Sequence, residues 1–228
     1  MIKNLNKYVD HTVLKAFATR KDIETLCEAA KKYDFASVCI NPMYVSYARD
    51  LLEGTDVNIC TVIGFPLGAN TTAVKAAETE QAYLDGCNEF DMVIAVGALK
   101  EGRYDYVRND IAAVVKAAKG RVVKVIIETA YLTDEEKVMA CKLCTEAGAT
   151  FVKTCTGFST ATDAPNKATV HDIELMRANI APDMKVKASS GIRTYEDAEA
   201  LINAGAERLG TSAGAKILEG ALAAENQK

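Results

Sequence analysis

Several residue types and motifs that define common functional classes are scarce or missing in this sequence. The 228-residue chain has two histidines, His11 and His171, and no cluster of cysteine with histidine, so a zinc-dependent mechanism has little support. The phosphate loop GxxxxGK(S/T) and the dinucleotide fingerprint GxGxxG are both absent. We therefore expect neither a metal ion nor another cofactor.

Basic residues in excess and long apolar runs are also missing. The formal net charge is −4, which gives no electrostatic case for binding nucleic acid or an anionic membrane. No apolar run approaches the roughly 20 residues of a membrane span, and the N-terminus lacks the apolar core of a signal peptide. The seven cysteines lie among apolar neighbours, as reduced thiols do. We expect a cytoplasmic protein.

What the sequence does contain is a regular alternation of β-prone runs and helical segments. The predicted strands cover residues 8–12, 35–40, 57–63, 89–96, 122–127, 151–154, 184–188 and 208–211. The predicted helices cover residues 19–32, 43–52, 72–85, 104–119, 133–147, 169–179, 194–204 and 212–218. Thr19 with Asp22, and Thr133 with Glu136, have the spacing of capping boxes at two helix starts.

This alternation predicts the fold class. Strands that alternate with helices form a parallel sheet. Eight strand-plus-helix units favour a closed (β/α)8 TIM barrel over an open sheet. The first strand is the shortest signal, and without it seven units would reopen the question. With no linker or low-complexity segment, we expect residues 1–228 to form one domain, with a flexible tail from about residue 220.

Two lysines stand at the ends of predicted strands, each followed by a turn of small residues. They are Lys153, before Thr-Cys-Thr-Gly, and Lys187, before Ala-Ser-Ser-Gly. Neighbouring strands lie about 5 Å apart, so the ammonium of one lysine would favour loss of the proton from the other, as amine catalysis requires. Spacing alone equally allows lysines that reach into solvent.

A carboxylate occupies the same end of the predicted barrel. Asp91 lies in the fourth strand, and alternation would place Glu89, Val93 and Ala95 on its face. Two carboxylates on one face are costly in a dry core, so we expect a polar, wet centre at this strand.

Turns rich in small residues follow the last three predicted strands. They are Thr156-Gly157, residues 189–193 and residues 210–214. Barrels commonly bind phosphate at such turns, where backbone N–H groups are free, although small residues also simply close turns. Three such turns together favour a phosphorylated ligand.

The cysteines carry less weight as functional groups. Cys141 and Cys144 form a CxxC, but they lie within a predicted helix on a ridge with other apolar residues, which favours a core face. Cys39 and Cys155 could face the site, although each suits a small filler of the core.

Seven segments resemble the deoxyribose-phosphate aldolase family, in the order the family has them. They are DHT at 10–12, VCINP at 38–42, GFPLG at 64–68, EFDMVI at 89–94, VKTCTGF at 152–158, VKASSGIR at 186–193 and LGTS at 209–212. The resemblance extends over residues 8–215 and implies a class I, Schiff-base-forming aldolase on a TIM barrel. This family reversibly cleaves 2-deoxy-D-ribose 5-phosphate to D-glyceraldehyde 3-phosphate and acetaldehyde, a step in the catabolism of deoxyribonucleotides and carbohydrate.

The resemblance also implies roles for individual residues. Lys153 matches the Schiff-base lysine, Lys187 the second lysine that tunes it, and Asp91 the acid/base carboxylate. The positions implied to bind substrate or its phosphate are Asp10, Thr12, Thr156, Gly157, Ser190, Gly191, Arg193, Gly210 and Ser212. We also expect a homodimer.

The chain departs from the family pattern at a few positions. Ala95 stands where the family has Asn, Cys155 and Ala213 where it has Ser, and Ser190 where it has Gly. The terminal residue is lysine, where some members have a mobile tyrosine. These changes bear on rate and substrate preference more than on the class of reaction.

Three alternatives remain open from the sequence. The chain could be a class I aldolase for another phosphosugar, a barrel that binds phosphosugars without catalysis, or a phosphosugar isomerase that works through a carboxylate base. A substrate panel and trapping of an imine would separate these functions.

Overall fold

The described residues, 2–162 and 164–225 of a computed structural model, form a closed barrel of eight parallel strands. The strands β1 to β8 are Val9–Val13, Ser37–Ile40, Asn58–Ile63, Glu89–Val93, Val122–Ile126, Phe151–Lys153, Lys185–Ser189 and Arg208–Thr211. Each strand pairs with the next, and β1 pairs with β8 to close the ring. The predicted (β/α)8 barrel is therefore confirmed, including its short first strand.

The α-helices of the described residues surround this ring. The helices α1 to α9 are Arg20–Tyr33, Val45–Leu52, Thr72–Leu84, Val96–Lys100, Tyr104–Ala117, Asp134–Glu146, Val170–Ala178, Tyr195–Asn203 and Gly214–Glu225. Short 3₁₀ turns occupy Leu5–Tyr8, Pro42–Tyr44 and Thr129–Tyr131. Across the described residues, no helix is both long and apolar enough to cross a membrane.

The polar residues predicted to start two helices do so. Thr19 with Asp22 opens α1, and Thr133 with Glu136 opens α6, each as a reciprocal capping box. In both cases the threonine side chain and the acid satisfy N–H groups that a helix start leaves without partners.

Two predicted element boundaries are wrong by three residues or more. Strand β4 ends at Val93 instead of residue 96, because Val96 N–H bonds back to Ile94 O and the chain turns into α4. The alternation therefore does not extend to Ala95, which packs in the apolar layer instead of beside Asp91. The last helix, predicted to end at residue 218, continues to Glu225, and residues 226–228 of the expected tail lie outside the described part.

The two faces of the strands have different surroundings. Outward side chains such as Phe90, Met92 and Val125 pack against the helices in one large apolar cluster. Inward side chains of β1 and β4 to β8 are largely charged, while β2 and β3 contribute the small cluster of Cys39, Cys60 and Val62. The barrel interior therefore concentrates ionisable groups in a space that the outer layer keeps from solvent.

Candidate active site

Asp91 lies at the centre of the charged interior. Its Oδ2 accepts hydrogen bonds from Lys153 Nζ and Lys187 Nζ, each at 2.7 Å. Its Oδ1 accepts from Lys124 Nζ at 2.9 Å. Both carboxylate oxygens thus have ammonium donors from three different strands, β5, β6 and β7. These contacts confirm that the centre of β4 is polar; the water expected there stays a prediction.

The two strand-end lysines lie side by side beneath a cavity. Lys153 and Lys187 are register partners on β6 and β7, as their predicted positions required. Lys187 is fully buried and Lys153 is 3% exposed, so neither reaches into solvent as the alternative would have it. Lys187 Nζ also donates to Asp10 Oδ2 at 2.5 Å. Lys187 therefore bridges two carboxylates, whereas the ion pair of Lys153 within the described part of the chain is with Asp91 alone.

Two charged residues of the interior, Lys124 and Arg208, were not predicted from the sequence. Lys124 Nζ lies 2.5 Å from a Glu89 oxygen and contacts Asp91, while Arg208 donates to both Glu89 and Asp10. Lys124 carries the same signal that identified Lys153, a lysine inside an apolar strand. Arg208 begins β8, where an arginine in sequence looks like an ordinary surface residue.

The interior charges shift one another's pKa values. Burial alone would raise the pKa of Asp91, but the ammonium groups of Lys124, Lys153 and Lys187 hold it well below its ordinary value. The pKa of Asp10 is likewise lowered, because Lys124, Lys187 and Arg208 outweigh the effect of burial. Burial disfavours the charged form of Lys187, yet Asp10 and Asp91 outweigh it and raise its pKa above the ordinary value.

One group of potential metal ligands lies in this interior. Among the described residues, Cys39, Cys60 and Asp91 bring one ligand atom each to within 4.8 Å of the others. A divalent cation there would have to compete with the three ammonium groups that already contact Asp91. Burial also raises the pKa of Cys60 well above its ordinary value, which disfavours the thiolate that binds metals. The charges of this cluster do not suit a cation.

A cavity of about 590 Å³ opens above Lys153 at the carboxyl ends of the strands. Eight of the nine positions predicted to bind substrate line it: Thr12, Thr156, Gly157, Ser190, Gly191, Arg193, Gly210 and Ser212. Asp10, the ninth, does not line it, because it is fully buried among Lys187, Ser37 and Arg208. Lys15 and Phe17, from the segment after β1, complete one side of the cavity mouth and were not predicted.

The cavity wall contains backbone donors suited to an anion. Within the described part of the chain, no hydrogen bond uses the N–H groups of Gly157, Gly191, Ile192 or Ser212. Gly157 and Gly191 have φ values of 84° and 78°, which a residue with a side chain rarely adopts. Cationic side chains of Lys15 and Arg193 also line the cavity. Such a wall suits a phosphate group.

These features define a class of protein, the (β/α)8-barrel enzymes whose active site contains lysine side chains. They are the closed barrel, the buried lysine pair and the cavity lined by N–H donors. The chain belongs to the DeoC/LacD family of aldolases, whose family model matches residues 5–220. This match spans every strand of the barrel.

Similar proteins agree with this family. The chain is 59% identical over 216 residues to a protein named deoxyribose-phosphate aldolase from Streptococcus sanguinis, covering 95% of this chain and 96% of that one. It is 55% identical over 227 residues to one of the same name from Lysinibacillus sphaericus, covering 99% and 100%. A solved deoxyribose phosphate aldolase from Aeropyrum pernix, described as a unique tetramer, has a TM-score of 0.86 at 33% identity, covering 94% of this chain and 89% of that one.

Proposed function

We propose that this protein is a deoxyribose-phosphate aldolase. It would reversibly cleave 2-deoxy-D-ribose 5-phosphate to D-glyceraldehyde 3-phosphate and acetaldehyde through a Schiff base on Lys153. The observation that supports this most directly is the hydrogen-bonded set of Lys153, Asp91 and Lys187 below a cavity whose wall has free N–H donors. The names of the relatives, at 55% to 59% identity, support the same substrate.

The charges of the interior explain why Lys153 is the nucleophile. The network holds four cationic side chains, Lys124, Lys153, Lys187 and Arg208, against the three carboxylates Asp10, Glu89 and Asp91. Loss of one proton from a lysine therefore leaves this network neutral. Lys153 is the lysine of this network that lines the cavity, and among the described residues it pairs with one carboxylate. Its deprotonation would break the fewest ion pairs.

The reaction then proceeds through an imine. The amine of Lys153 attacks C1 of the open-chain sugar, the carbinolamine loses water, and the resulting iminium accepts electrons from the carbon chain. A base takes the proton of the C3 hydroxyl, the C2–C3 bond breaks, and its electron pair forms an enamine while glyceraldehyde 3-phosphate departs. Protonation of the enamine at C2 and attack of water release acetaldehyde and restore the lysine.

The other residues of the site have proposed parts in these steps. Asp91 contacts both lysines, so it can take and return protons, and Lys187 can pass them on through the shared Oδ2. The N–H groups of Gly157, Gly191, Ile192 and Ser212, with Thr12, Thr156, Ser190, Gly210 and Arg193 around them, would hold the phosphate. Binding energy from that remote group positions C1 against Lys153. Asp10 would act through Lys187, which it contacts, since it is buried away from the cavity.

Trapping the imine tests this function. Incubation with 2-deoxyribose 5-phosphate and borohydride should leave an ethyl group on Lys153, detected by peptide mass spectrometry. Lys153→Arg, which keeps the charge and lacks the nucleophile, is the control that should remain unlabelled. An adduct on Lys187, or none on the wild type, would overturn the assignment. A panel with longer phosphosugars distinguishes an aldolase of other specificity, which would form its adduct with those substrates.

Location and assembly stay predictions. We propose a cytoplasmic protein whose partners are the phosphosugar and acetaldehyde. The Aeropyrum pernix relative is described as a tetramer, so the expected homodimer has no support from that protein.

A further inference from the structure

Glu128 combines two unfavourable features at one position. It is the second residue after β5, it is 2% exposed, and its backbone is left-handed with φ 57° and ψ 68°. A left-handed backbone is costly for any residue with a side chain, and a buried carboxylate is costly without partners. A residue that carries both costs has contacts that offset them.

Those contacts all involve the turn after β6. The Glu128 carboxylate accepts from Thr156 N–H at 3.3 Å and 3.2 Å and also from the Thr156 hydroxyl. The Thr156 hydroxyl oxygen in turn accepts from Phe158 N–H at 2.9 Å. The Phe158 ring, which lines the cavity, meets Phe65 edge-on, with centroids 5.3 Å apart. The Glu128 carboxylate therefore holds Thr156 directly and, through the Thr156 hydroxyl, is connected to the N–H of Phe158.

Two kinds of contact favour the ionised form of Glu128 despite its burial. Burial raises the pKa of its carboxyl group, while the hydrogen bonds from Thr156 and the nearby Lys153 ammonium oppose that rise. Glu128 Oε2 accepts from both Thr156 donors, and these hydrogen bonds are stronger when the acceptor carries a charge.

The position of this turn affects the anion-binding wall. Both donors of Thr156 are already engaged by Glu128, so the next available N–H in the turn is that of Gly157. Gly157 lies against the turn after β7, because a Cβ on it would lie 3.7 Å from Ser190 Oγ. A shift of Thr156 would therefore change the separation between the two turns that face the phosphate.

We propose that Glu128 is a positioning residue: it fixes Thr156, thereby places the Gly157 N–H, and so determines the preference for phosphorylated over unphosphorylated sugars. This inference rests on the proposed function. Glu128 itself does not touch the substrate and acts through Thr156.

Glu128→Gln is the first test, because it keeps the size of the side chain and removes the charge. The readout is the ratio of kcat/KM for 2-deoxyribose 5-phosphate to kcat/KM for 2-deoxyribose. Loss of hydrogen bonds to a charged acceptor should lower this ratio about tenfold. Borohydride trapping of acetaldehyde on Lys153, which needs no phosphate, should fall by less than the ratio does. An equal fall in both would mean a purely structural role and would overturn the proposal.

Glu78→Gln is the matched control. Glu78 is partly buried, and its carboxylate accepts from Gly64 N–H at 2.7 Å in the turn after β3, none of whose residues lines the cavity. This variant should leave the ratio unchanged. Glu128→Gly, which relieves the left-handed backbone and lacks the carboxylate, serves if Glu128→Gln does not fold. A wild-type ratio in either Glu128 variant would contradict the proposal.

Thr156 variants identify the route of the effect. Thr156→Ser keeps the hydroxyl and should retain the ratio, whereas Thr156→Val should lose it to the same extent as Glu128→Gln. The double variant Glu128→Gln with Thr156→Val should be no worse than either alone, since both break one contact. If the decreases in the kcat/KM ratio add up in the double variant, Glu128 does not act through Thr156. If the wild type cleaves neither sugar, the proposed function fails instead.

Discussion

Three lysines inside the barrel differ in how many carboxylates surround each of them. Lys124 Nζ lies within ion-pair distance of three carboxylates, Lys187 of two and Lys153 of one. A protonated amine is held more firmly by each additional carboxylate. The lysine with the fewest carboxylate partners, Lys153, is the one of the three that lines the cavity.

Removal of the Lys187 charge should change the pH dependence of the reaction. Lys187→Met removes a positive charge next to Lys153. The negative charge of Asp91 then favours the protonated form of Lys153 more strongly. A smaller fraction of Lys153, the proposed nucleophile, is then neutral at a given pH, so the acid limb of the kcat/KM profile should move up by about one pH unit. Profiles from pH 5.5 to 9.5 would measure this.

Lys185→Met provides the control for that experiment, because Lys185 begins the same strand and its side chain is 49% exposed. Its profile should match the wild type. An acid limb that stays in place in Lys187→Met would show that the second lysine does not tune the first.

The sequence drew attention to Lys153, Lys187 and Asp91, which the structure brings into contact, because a charged residue inside an apolar strand stands out. It could not show that Asp10, the second residue of β1, lies outside the cavity. What removes Asp10 from the cavity is its contact with Lys187, 177 positions away, which only closure of the ring creates. Arg208 was missed for the same reason, being 198 positions from Asp10.

Helix α3 connects the outer layer to the end of β4. Lys75, fully buried, donates to Val93 O at 3.0 Å and to Asp110 Oδ2 on α5 at 2.6 Å. Thr72 at the start of α3 donates to the other Asp110 oxygen at 2.8 Å. The strand that carries Asp91 is therefore attached to two helices through one ammonium group.

Loss of that ammonium group should destabilise the protein strongly. Lys75→Met leaves the Asp110 charge buried without its main partner, which costs about 3–5 kcal/mol in free energy of unfolding. The double variant with Asp110→Leu should recover part of this loss, because it removes the unpaired charge. Urea unfolding measures both. Equal stability of the wild type and Lys75→Met would contradict the role of the pair.

The element boundaries that could be predicted from the sequence are those marked by particular residues next to them. Capping boxes fixed the starts of α1 and α6, whereas the end of β4 was placed three residues too late. The apolar residues Ile94, Ala95 and Val96 continue the β-prone pattern, but the last pair of this ladder is Val93 with Ile126. Strand length in a closed barrel is set by the neighbouring strand, which local composition does not reveal.

At the scale of the whole molecule, closure of the barrel creates an interior with more ionisable groups than a small core usually holds. Six of the eight strands contribute a charged residue to it: Asp10, Glu89, Asp91, Lys124, Lys153, Lys187 and Arg208. Such a network stabilises the fold only while its partners keep their charges. Stability should therefore depend on pH through the interior more than through the surface pairs, which are exposed and weak.

Acid should destabilise the protein for this reason. In the unfolded chain Asp10 and Asp91 titrate near about pH 4, whereas in the folded protein both pKa values are lowered. Below that pH the unfolded state takes up protons that the folded state does not, so the free energy of unfolding falls. Glu128 and Glu78, whose pKa values burial raises, act in the opposite direction. The pKa values of Asp10 and Asp91 are shifted more strongly than those of Glu128 and Glu78, so the net free energy of unfolding should fall in acid.

Urea unfolding at a series of pH values tests this expectation. The midpoint concentration of urea should be level between pH 6 and 8 and decrease below about pH 4. A midpoint that stays level to pH 3 would show that the interior carboxylates are not held as ions.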